Sequence, residues 1–261
     1  MSRGSILILV LWILALLAYL AGDYLAYSRE KSAINSNSWV DEKEDQAVKS
    51  VIELFSTDRS PLSGQEEETH WVELSPGGIK LWVKVEKEQG RINLNTAIDA
   101  NIREKIMEIV GDKSEEEVDR LVDAILDWRD PDNLTRLNGA EEGFYENQGL
   151  PYVPTNGQFK ALTELLLVRG MSAPLFWGDP LAAIRARSEE GEEVSEKPLS
   201  ISDAFTIFEP NMRRISIVIP RRKQSYELVL IFMKKRGIRW QVKQIYRTVL
   251  ISAMEGKNPG V

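Results

Sequence analysis

An uncharged apolar run near the start of the chain is its most prominent hydrophobic feature. Residues 5–22 carry no charged side chain, Arg3 precedes them, and Asp23 is the next charged residue. A helix of about 20 apolar residues spans a bilayer core. We therefore expect a membrane helix over residues 5–27. Because a cationic leader tends to stay in the cytoplasm, we expect the rest of the chain to be exported.

The residues before this run allow three interpretations of the N-terminus. Gly4 directly precedes the run. This arrangement resembles a type IV prepilin leader, cut after Gly4 to leave Ser5 as the mature terminus. An uncleaved anchor is the second interpretation, and a secretory signal cut near Asp23 is the third. Most prepilins carry glutamate at the fifth mature position, where this chain has Leu9.

The segment 28–91 is expected to contain a helix and the first strands. Apolar residues recur at helical spacing among the charges of residues 40–54, which predicts that a helix continues to about residue 56. Residues 57–70 are polar and rich in helix breakers, so they are predicted to form a loop. The runs 71–74 and 79–86 flank a Ser-Pro-Gly-Gly turn and are predicted to form a β-hairpin.

Residues 92–171 have a helical pattern that interrupts the strands. Asn95 or Thr96 can cap the first predicted helix. Another helix is predicted over residues 159–168, ended by Gly170.

The middle helix of this segment has the clearest start. Ser114 followed by Glu117 matches a capping box. The helix that it opens is predicted to bury a stripe made of Val118, Leu121, Val122, Ile125 and Leu126.

The last third of the chain returns to strand patterns. Residues 185–200 are charged and lack apolar periodicity, so a linker is predicted over 172–200. Alternating patterns then predict three antiparallel strands, at residues 214–220, 225–233 and 238–250. Helix, strands, helical segment and strands in this order predict an α+β fold split by a helical insertion.

Composition narrows the possible functions. The 261 residues carry a formal net charge of −7, which disfavours general binding to nucleic acid or to an anionic membrane surface. There is no cysteine, so disulfides, thiolate metal sites and cysteine nucleophiles are excluded. His70 is the single histidine, so any mechanism that needs two histidines is excluded as well.

The densest polar segment follows the middle helix. Between Asp127 and Glu142, four to six oxygen-bearing side chains lie within sixteen residues, and Pro131 prevents the helix from continuing smoothly. Hard oxygen ligands on an irregular loop are typical of Ca²⁺ sites. Two other interpretations stay open: a capped, solvent-exposed loop without metal, and a carboxylate pair that acts as general acid and base.

Several motifs follow one another along the chain. They are the Gly4 leader with Leu9 in place of the acid, Gly-Arg-Ile-Asn-Leu-Asn-Thr-Ala at residues 90–97, Asp127-Trp-x-Asp-x-Asp, Asn138-Gly-Ala-Glu, Leu150-Pro-Tyr, Asn156, and Glu164-Leu-x-x-Val-Arg-Gly170. This order resembles the minor pseudopilin K family of bacterial type II secretion systems. The resemblance covers residues 1–25 and 79–171.

The resemblance implies a long N-terminal transmembrane helix and a pseudopilin-like α/β domain with an antiparallel sheet, interrupted by a helical, SAM-like insertion. It divides the chain into a prepilin leader at 1–4, a transmembrane helix at 5–27, a periplasmic helix with the first strands at 28–91, the helical insertion at 92–171, a linker at 172–200 and C-terminal antiparallel strands at 201–261.

The function implied by the resemblance is assembly, not catalysis. Family members sit at the tip of the periplasmic pseudopilus and start its assembly with minor pseudopilins I and J, above the major pseudopilin. The resemblance then implies a single-pass inner-membrane protein with a periplasmic C-terminal domain. Prepilin peptidase would cut and N-methylate the chain, and no nucleic-acid partner is expected. A membrane-anchored periplasmic hydrolase using a carboxylate pair is the alternative, and a type IV pilus minor pilin is not distinguished.

The resemblance also implies a structural calcium ion, because family members can bind calcium in the insertion. Mapped by motif, the expected ligands are Asp127, Asp130, Asp132, Asn138, Glu141 and Glu142.

Overall fold

The computed structural model describes residues 41–57, 70–111, 114–181, 184, 200–221 and 225–251. The chain divides into two compact units, one of Met1–Ile52 with Ser75–Ile79 and one of Glu53–Leu74 with Lys80–Val261. Among the described residues, no helix is both long enough and apolar enough to cross a membrane. The predicted leader, the membrane helix over 5–27 and most of the predicted loop 57–70 lie outside the described residues.

The described elements are short, apart from three helices and the strands of the main sheet. In chain order they are α1 (residues 41–55), β1 (Val72–Leu74), a 3-10 turn (Pro76–Gly78), β2 (Leu81–Lys87), β3 (Ile92–Asn93), α2 (Asp99–Val110), α3 (Glu115–Arg129), α4 (Glu142–Asn147), a 3-10 helix (Leu162–Leu167), α5 (Ala173–Trp177), α6 (Ile201–Ala204), β4 (Phe205–Thr206), β5 (Arg213–Pro220), β6 (Ser225–Arg236) and β7 (Arg239–Ile251).

The first unit contributes most of α1. Ala47, Val48 and Val51 are buried at helical spacing, as the pattern of the sequence requires. The predicted helix is therefore confirmed over residues 41–55, and its earlier part lies outside the described residues.

The second unit is built on one antiparallel sheet with the strand order β1-β2-β5-β6-β7. The predicted hairpin and the predicted three-strand meander are both confirmed. One detail differs: β6 continues beyond the predicted end at residue 233 to Arg236, so the turn before β7 consists of Gly237 and Ile238.

The helical segment packs around α3. The Ser114 hydroxyl accepts a hydrogen bond from the Glu117 backbone N–H, as predicted. All five residues of the predicted stripe are buried. α2, in contrast, begins after Ile98 and not at Asn95 or Thr96. The Asn95 side chain instead bonds both backbone groups of Phe159, so it ties two distant loops together.

Two predictions in the later helical segment are corrected. The helix expected over 159–168 is a 3-10 helix of six residues, Leu162–Leu167. The linker expected from residue 172 contains α5, whose Phe176 and Trp177 are buried in the same core as α3. The rest of that linker, residues 185–199, lies outside the described residues.

The helical excursion starts and ends at a separate two-stranded sheet of β3 and β4. β3 pairs with β4 in parallel, Ile92 with Phe205 and Asn93 with Thr206. The Arg91 side chain donates to the backbone oxygen of Asp203, 112 positions along the chain. The excursion therefore leaves and returns through adjacent strands, and it extends beyond the predicted boundary at residue 171.

A buried ion pair fastens this junction to the sheet. The Arg214 guanidinium on β5 contacts both carboxylate oxygens of Glu88, at 2.7 and 3.1 Å. It also donates to the backbone oxygens of Ser202 and Phe205. Both charged side chains are almost fully buried, so each depends on the other for compensation.

We therefore expect Arg214→Met to destabilise the protein by about 3–5 kcal/mol, because it leaves the Glu88 carboxylate buried without its main partner. Lys80→Met is the matched control, because Lys80 pairs with Glu73 at 2.9 Å in an exposed position and is expected to cost less than about 1 kcal/mol. Urea denaturation of both variants measures the difference, and equal losses would contradict the role given to the buried pair.

Candidate metal centre

The site is organised by an aspartate at the end of α3. Asp127 is fully buried. Its carboxylate accepts hydrogen bonds from the backbone N–H of Arg136, at 3.3 and 3.4 Å, and from that of Ala140. Burial raises the pKa of Asp127, and the two backbone donors partly offset that rise. The buried carboxylate thus holds the following loop against the helix.

Gly139 passes so close to this carboxylate that no side chain fits. A Cβ atom at this position would lie 1.9 Å from Oδ2 of Asp127. The glycine in Asn-Gly-Ala-Glu is therefore required by a close approach of backbone to carboxylate.

A second aspartate holds the same loop one helical turn earlier. Asp123 Oδ2 accepts hydrogen bonds from the backbone N–H of Asn138 at 3.0 Å and from its side-chain amide at 3.3 Å. Asn138 therefore belongs to the framework of the loop. Sequence reasoning had singled it out as a ligand and had left Asp123 out.

Three carboxylates converge on the other side of the loop. Asp130, Asp132 and Glu141 each place an oxygen within 4.8 Å of the others. Asp130 follows α3, and Glu141 precedes α4, so the group joins the ends of two helices. Burial, and then the charges of Asp127, Asp130 and Asp132, raise the pKa of Glu141 to about 7. Burial and the charge of Asp132 also raise the pKa of Asp130.

Several oxygens at this point lack a hydrogen-bond donor. Within the described part of the chain, Oδ1 of Asp130, both carboxylate oxygens of Glu141 and Oδ1 of Asn156 are buried without a partner. Buried polar atoms are almost always hydrogen-bonded. Four unpartnered oxygens beside a carboxylate cluster are what a bound cation would satisfy.

Asn156 is the residue that sequence reasoning did not assign to the site. Its backbone has φ +45°, and its amide donates to the backbone oxygen of Asp132 at 3.1 Å and to Oδ1 of Asn133 at 2.7 Å. These bonds fasten it beside the aspartates. It lies well beyond the acidic segment in sequence, so no spacing rule pointed to it.

The remaining candidates lie around the edge of the cluster. Glu142 is exposed, and its carboxylate accepts a hydrogen bond from Asn133 at 3.2 Å. Arg136 supplies a nearby positive charge, 3.4 Å from both Asp127 and Asp130. Of the six predicted ligands, the structure brings Asp130, Asp132 and Glu141 together. Asp127 and Glu142 accept hydrogen bonds from residues of the loop, and Asn138 bonds Asp123 on α3.

An aromatic cluster supports the site from behind. Trp128, Tyr145 and Tyr152 have ring centroids 5.6 to 6.3 Å apart. The Tyr145 hydroxyl accepts a hydrogen bond from the backbone N–H of Arg169. These rings fix α3, α4 and the 150s loop relative to one another, and those elements carry Asp130, Glu141 and Asn156.

The donor set suits a hard divalent cation. Every candidate ligand offers carboxylate or amide oxygen, and Ca²⁺ takes roughly six to eight such oxygens in flexible geometry. When all three carboxylates are ionised, they carry three negative charges, which Arg136 compensates only in part. The residues present therefore fit Ca²⁺.

Comparison with known proteins identifies the segment that holds this site. Residues 90–177 match the family model described as Type II secretion system (T2SS), protein K. A protein named Type II secretion system protein K from Dickeya chrysanthemi is 34% identical over 77 residues, 30% of this chain and 20% of that protein. The similarity to the protein K family thus covers residues 90–177, the segment that holds the carboxylate cluster.

Two further proteins of the same name share part of this chain. The protein from Aeromonas hydrophila is 43% identical over 58 residues, 22% of this chain and 18% of its own. The protein from Pectobacterium carotovorum subsp. carotovorum is 30% identical over 91 residues, 34% of this chain and 28% of its own. The matched region of this chain spans less than a third of the length of each of the three proteins.

A solved structure also matches in part. A chain in the crystal structure of the GspK-GspI-GspJ complex from enterotoxigenic Escherichia coli shares 11% sequence identity, with a TM-score of 0.44, and the match covers 85% of this chain and 99% of that one.

The close approach at Gly139 yields a direct test. We expect Gly139→Ala to destabilise the protein by about 1–3 kcal/mol, because the added methyl group must displace the Asp127 carboxylate or the loop.

Gly143→Ala is the matched control. Gly143 lies in α4, a Cβ there would meet nothing within 4 Å, and alanine is expected to stabilise the helix by up to about 1 kcal/mol. Urea denaturation with chelator present compares the two. Similar effects of both substitutions would show that Asp127 does not organise the loop.

Proposed function

We propose that this chain is a minor pseudopilin of a type II secretion system, which starts pseudopilus assembly with the other minor pseudopilins and occupies the tip. The observation that carries the proposal is the protein K segment at residues 90–177, which contains the carboxylate cluster. The partners follow from the family: minor pseudopilins I and J, and the major pseudopilin below them.

The N-terminal sequence supports this role. Residues 5–22 are uncharged and follow Gly4 directly, as in a prepilin. In a pilus-like filament, an acid in this helix neutralises the terminal amine of a neighbouring subunit. Leu9 cannot make that pair, which suits a subunit that has no other subunit above it in the filament. The proposed location is therefore the inner membrane, crossed once, with the domain in the periplasm.

A hydrolase is not favoured by the geometry. Asp130, Asp132 and Glu141 converge on a single point. In a glycosidase the two carboxylates lie about 5 to 10 Å apart, on either side of the scissile bond, whereas these oxygens cluster within 4.8 Å. The proposed role is therefore assembly without catalysis.

We propose that the carboxylate cluster binds a structural Ca²⁺ through Asp130, Asp132 and Glu141, with Asn156 as a further ligand. The unpartnered oxygens of Asp130, Glu141 and Asn156 support this assignment. Asp127 and Asn138 would position the loop and not the ion, and Glu142 lies at the edge. The ion would connect the end of α3 to the start of α4, and so hold the insertion in one conformation.

Prepilin processing tests the assembly role. We expect the chain expressed with a prepilin peptidase to begin at Ser5 and to be N-methylated, because Gly4 and the apolar run form the recognition sequence. Intact mass of the N-terminal peptide measures this, and expression without the peptidase is the control. A terminus that is unchanged by the peptidase, or one near Asp23, would contradict the proposal.

Thermal unfolding in calcium and in chelator tests the metal. We expect Asp130→Ala to abolish the calcium-induced rise in Tm, because it removes a ligand and one of the three charges. The wild-type chain is expected to gain about 5 °C or more at saturating calcium.

Glu146→Ala is the control, because Glu146 is an exposed acid on the same α4 helix. It should leave the calcium effect unchanged. If Asp130→Ala lowers Tm equally in calcium and in chelator, the metal assignment is wrong.

A further inference from the structure

The hairpin of β6 and β7 ends in a tight, well-defined tip. The strands pair up to Arg236 opposite Arg239, and only Gly237 and Ile238 form the turn. Gly237 has φ +61°, and glycine at the first central position is typical of the two-residue turns that fit a twisted hairpin. The tip is therefore a continuation of the sheet and not a loose loop.

The base of the tip is braced on two sides. The Trp240 ring lies under the Arg213 guanidinium, 3.9 Å from ring centroid to guanidinium carbon. The Trp240 backbone N–H donates to the Ser56 oxygen at 2.8 Å, and Thr57 forms a bridge with Arg239. These contacts fix the direction in which the tip points.

The charge pattern of the tip is unfavourable for the fold itself. Arg236 and Arg239 lie directly opposite each other across the hairpin. Like charges in this position destabilise a sheet. In the part of the chain that the structure describes, neither guanidinium has an ion-pair partner, whereas Lys234 nearby pairs with Glu209 at 2.7 Å.

An exposed apolar residue sits between these charges. Ile238 is 84% exposed at the turn. An apolar side chain that is exposed at the apex of the hairpin buries little surface, so it adds little to the stability of the isolated fold. Both features become favourable if the tip is covered by a partner.

We propose that the β6–β7 tip docks on an acidic surface of a neighbouring protein subunit, with Arg236 and Arg239 meeting carboxylates and Ile238 entering an apolar depression between them. Charge complementarity selects this occupant. An anionic membrane suits the tip less well, because the turn offers a single exposed apolar residue, Ile238, for insertion. The inference rests on the proposed function, which supplies the neighbours: the I and J subunits of the same secretion system.

The sharpest variant is Arg236→Glu. It places a glutamate opposite Arg239, so the like-charge pair becomes an attractive pair and Tm should stay the same or rise. Binding to an acidic surface should nevertheless weaken.

The full chain in nonionic detergent is titrated with the purified complex of I and J, at low and at moderate salt, by fluorescence anisotropy. We expect the wild-type Kd to rise with salt and Arg236→Glu to raise Kd roughly tenfold, which corresponds to 1.4 kcal/mol.

Two further variants complete the test. Arg236→Glu with Arg239→Glu should weaken binding more than the single change. Lys87→Glu with Lys160→Glu is the matched control, because both lysines are exposed and the net charge changes by the same amount. The control should keep Kd within about twofold of wild type.

The possible outcomes separate the inference from the proposed function. If the wild type binds I and J and Arg236→Glu binds equally well, the docking tip is excluded while the proposed function stands. If the wild type does not bind them at all, both fail. If Arg236→Glu abolishes binding to phosphatidylglycerol vesicles, or self-association, and leaves the I and J complex unaffected, the occupant is a membrane or a second copy and the inference is wrong.

Discussion

The buried carboxylate of Asp127 is the constraint on which the candidate site depends. A carboxylate without water is unstable unless donors surround it, and here the backbone N–H groups of Arg136 and Ala140 supply them. To reach the Asp127 carboxylate, the chain ends α3 at Arg129, turns back, and places Gly139 against that carboxylate. That path delivers Glu141 beside Asp130. Asp127 thus positions the cluster through the backbone.

The site lies in an insertion that is closed at its root. A long excursion loses chain entropy when its ends are brought together, although that loss grows only slowly with length. The parallel pair of β3 and β4 and the buried pair of Arg214 with Glu88 hold those ends. Inside the excursion, α3 and the aromatic cluster belong to the same hydrophobic core as residues of β5 and β6 such as Val218 and Leu228. A calcium ion between α3 and α4 would add a constraint that the sheet does not provide.

The patterns that sequence reasoning used are local, and the parts of the fold set by local patterns were predictable. Ser114 with Glu117 and the stripe from Val118 to Leu126 define α3, because capping and the helical period act within a few residues. The alternation in β5, β6 and β7 defined the meander for the same reason. The 3-10 helix at 162–167 is not set by apolar spacing alone, because a distant residue contacts its start: the Tyr246 hydroxyl accepts a hydrogen bond from the backbone N–H of Leu162. The Glu164 carboxylate also accepts hydrogen bonds from the backbone N–H groups of Lys160 and Ala161.

The candidate site was predictable in place and only partly in detail. A dense acidic segment after a helix predicts a cation site even when the individual ligands are unknown. The segment from Asp127 to Glu142 was therefore predictable as the place of the candidate site. Which carboxylates converge depends on the path of the backbone, and that path is fixed by Asp123, Asp127 and Gly139 acting across the loop. Residues chosen for their oxygen atoms can therefore serve as framework, as Asn138 does.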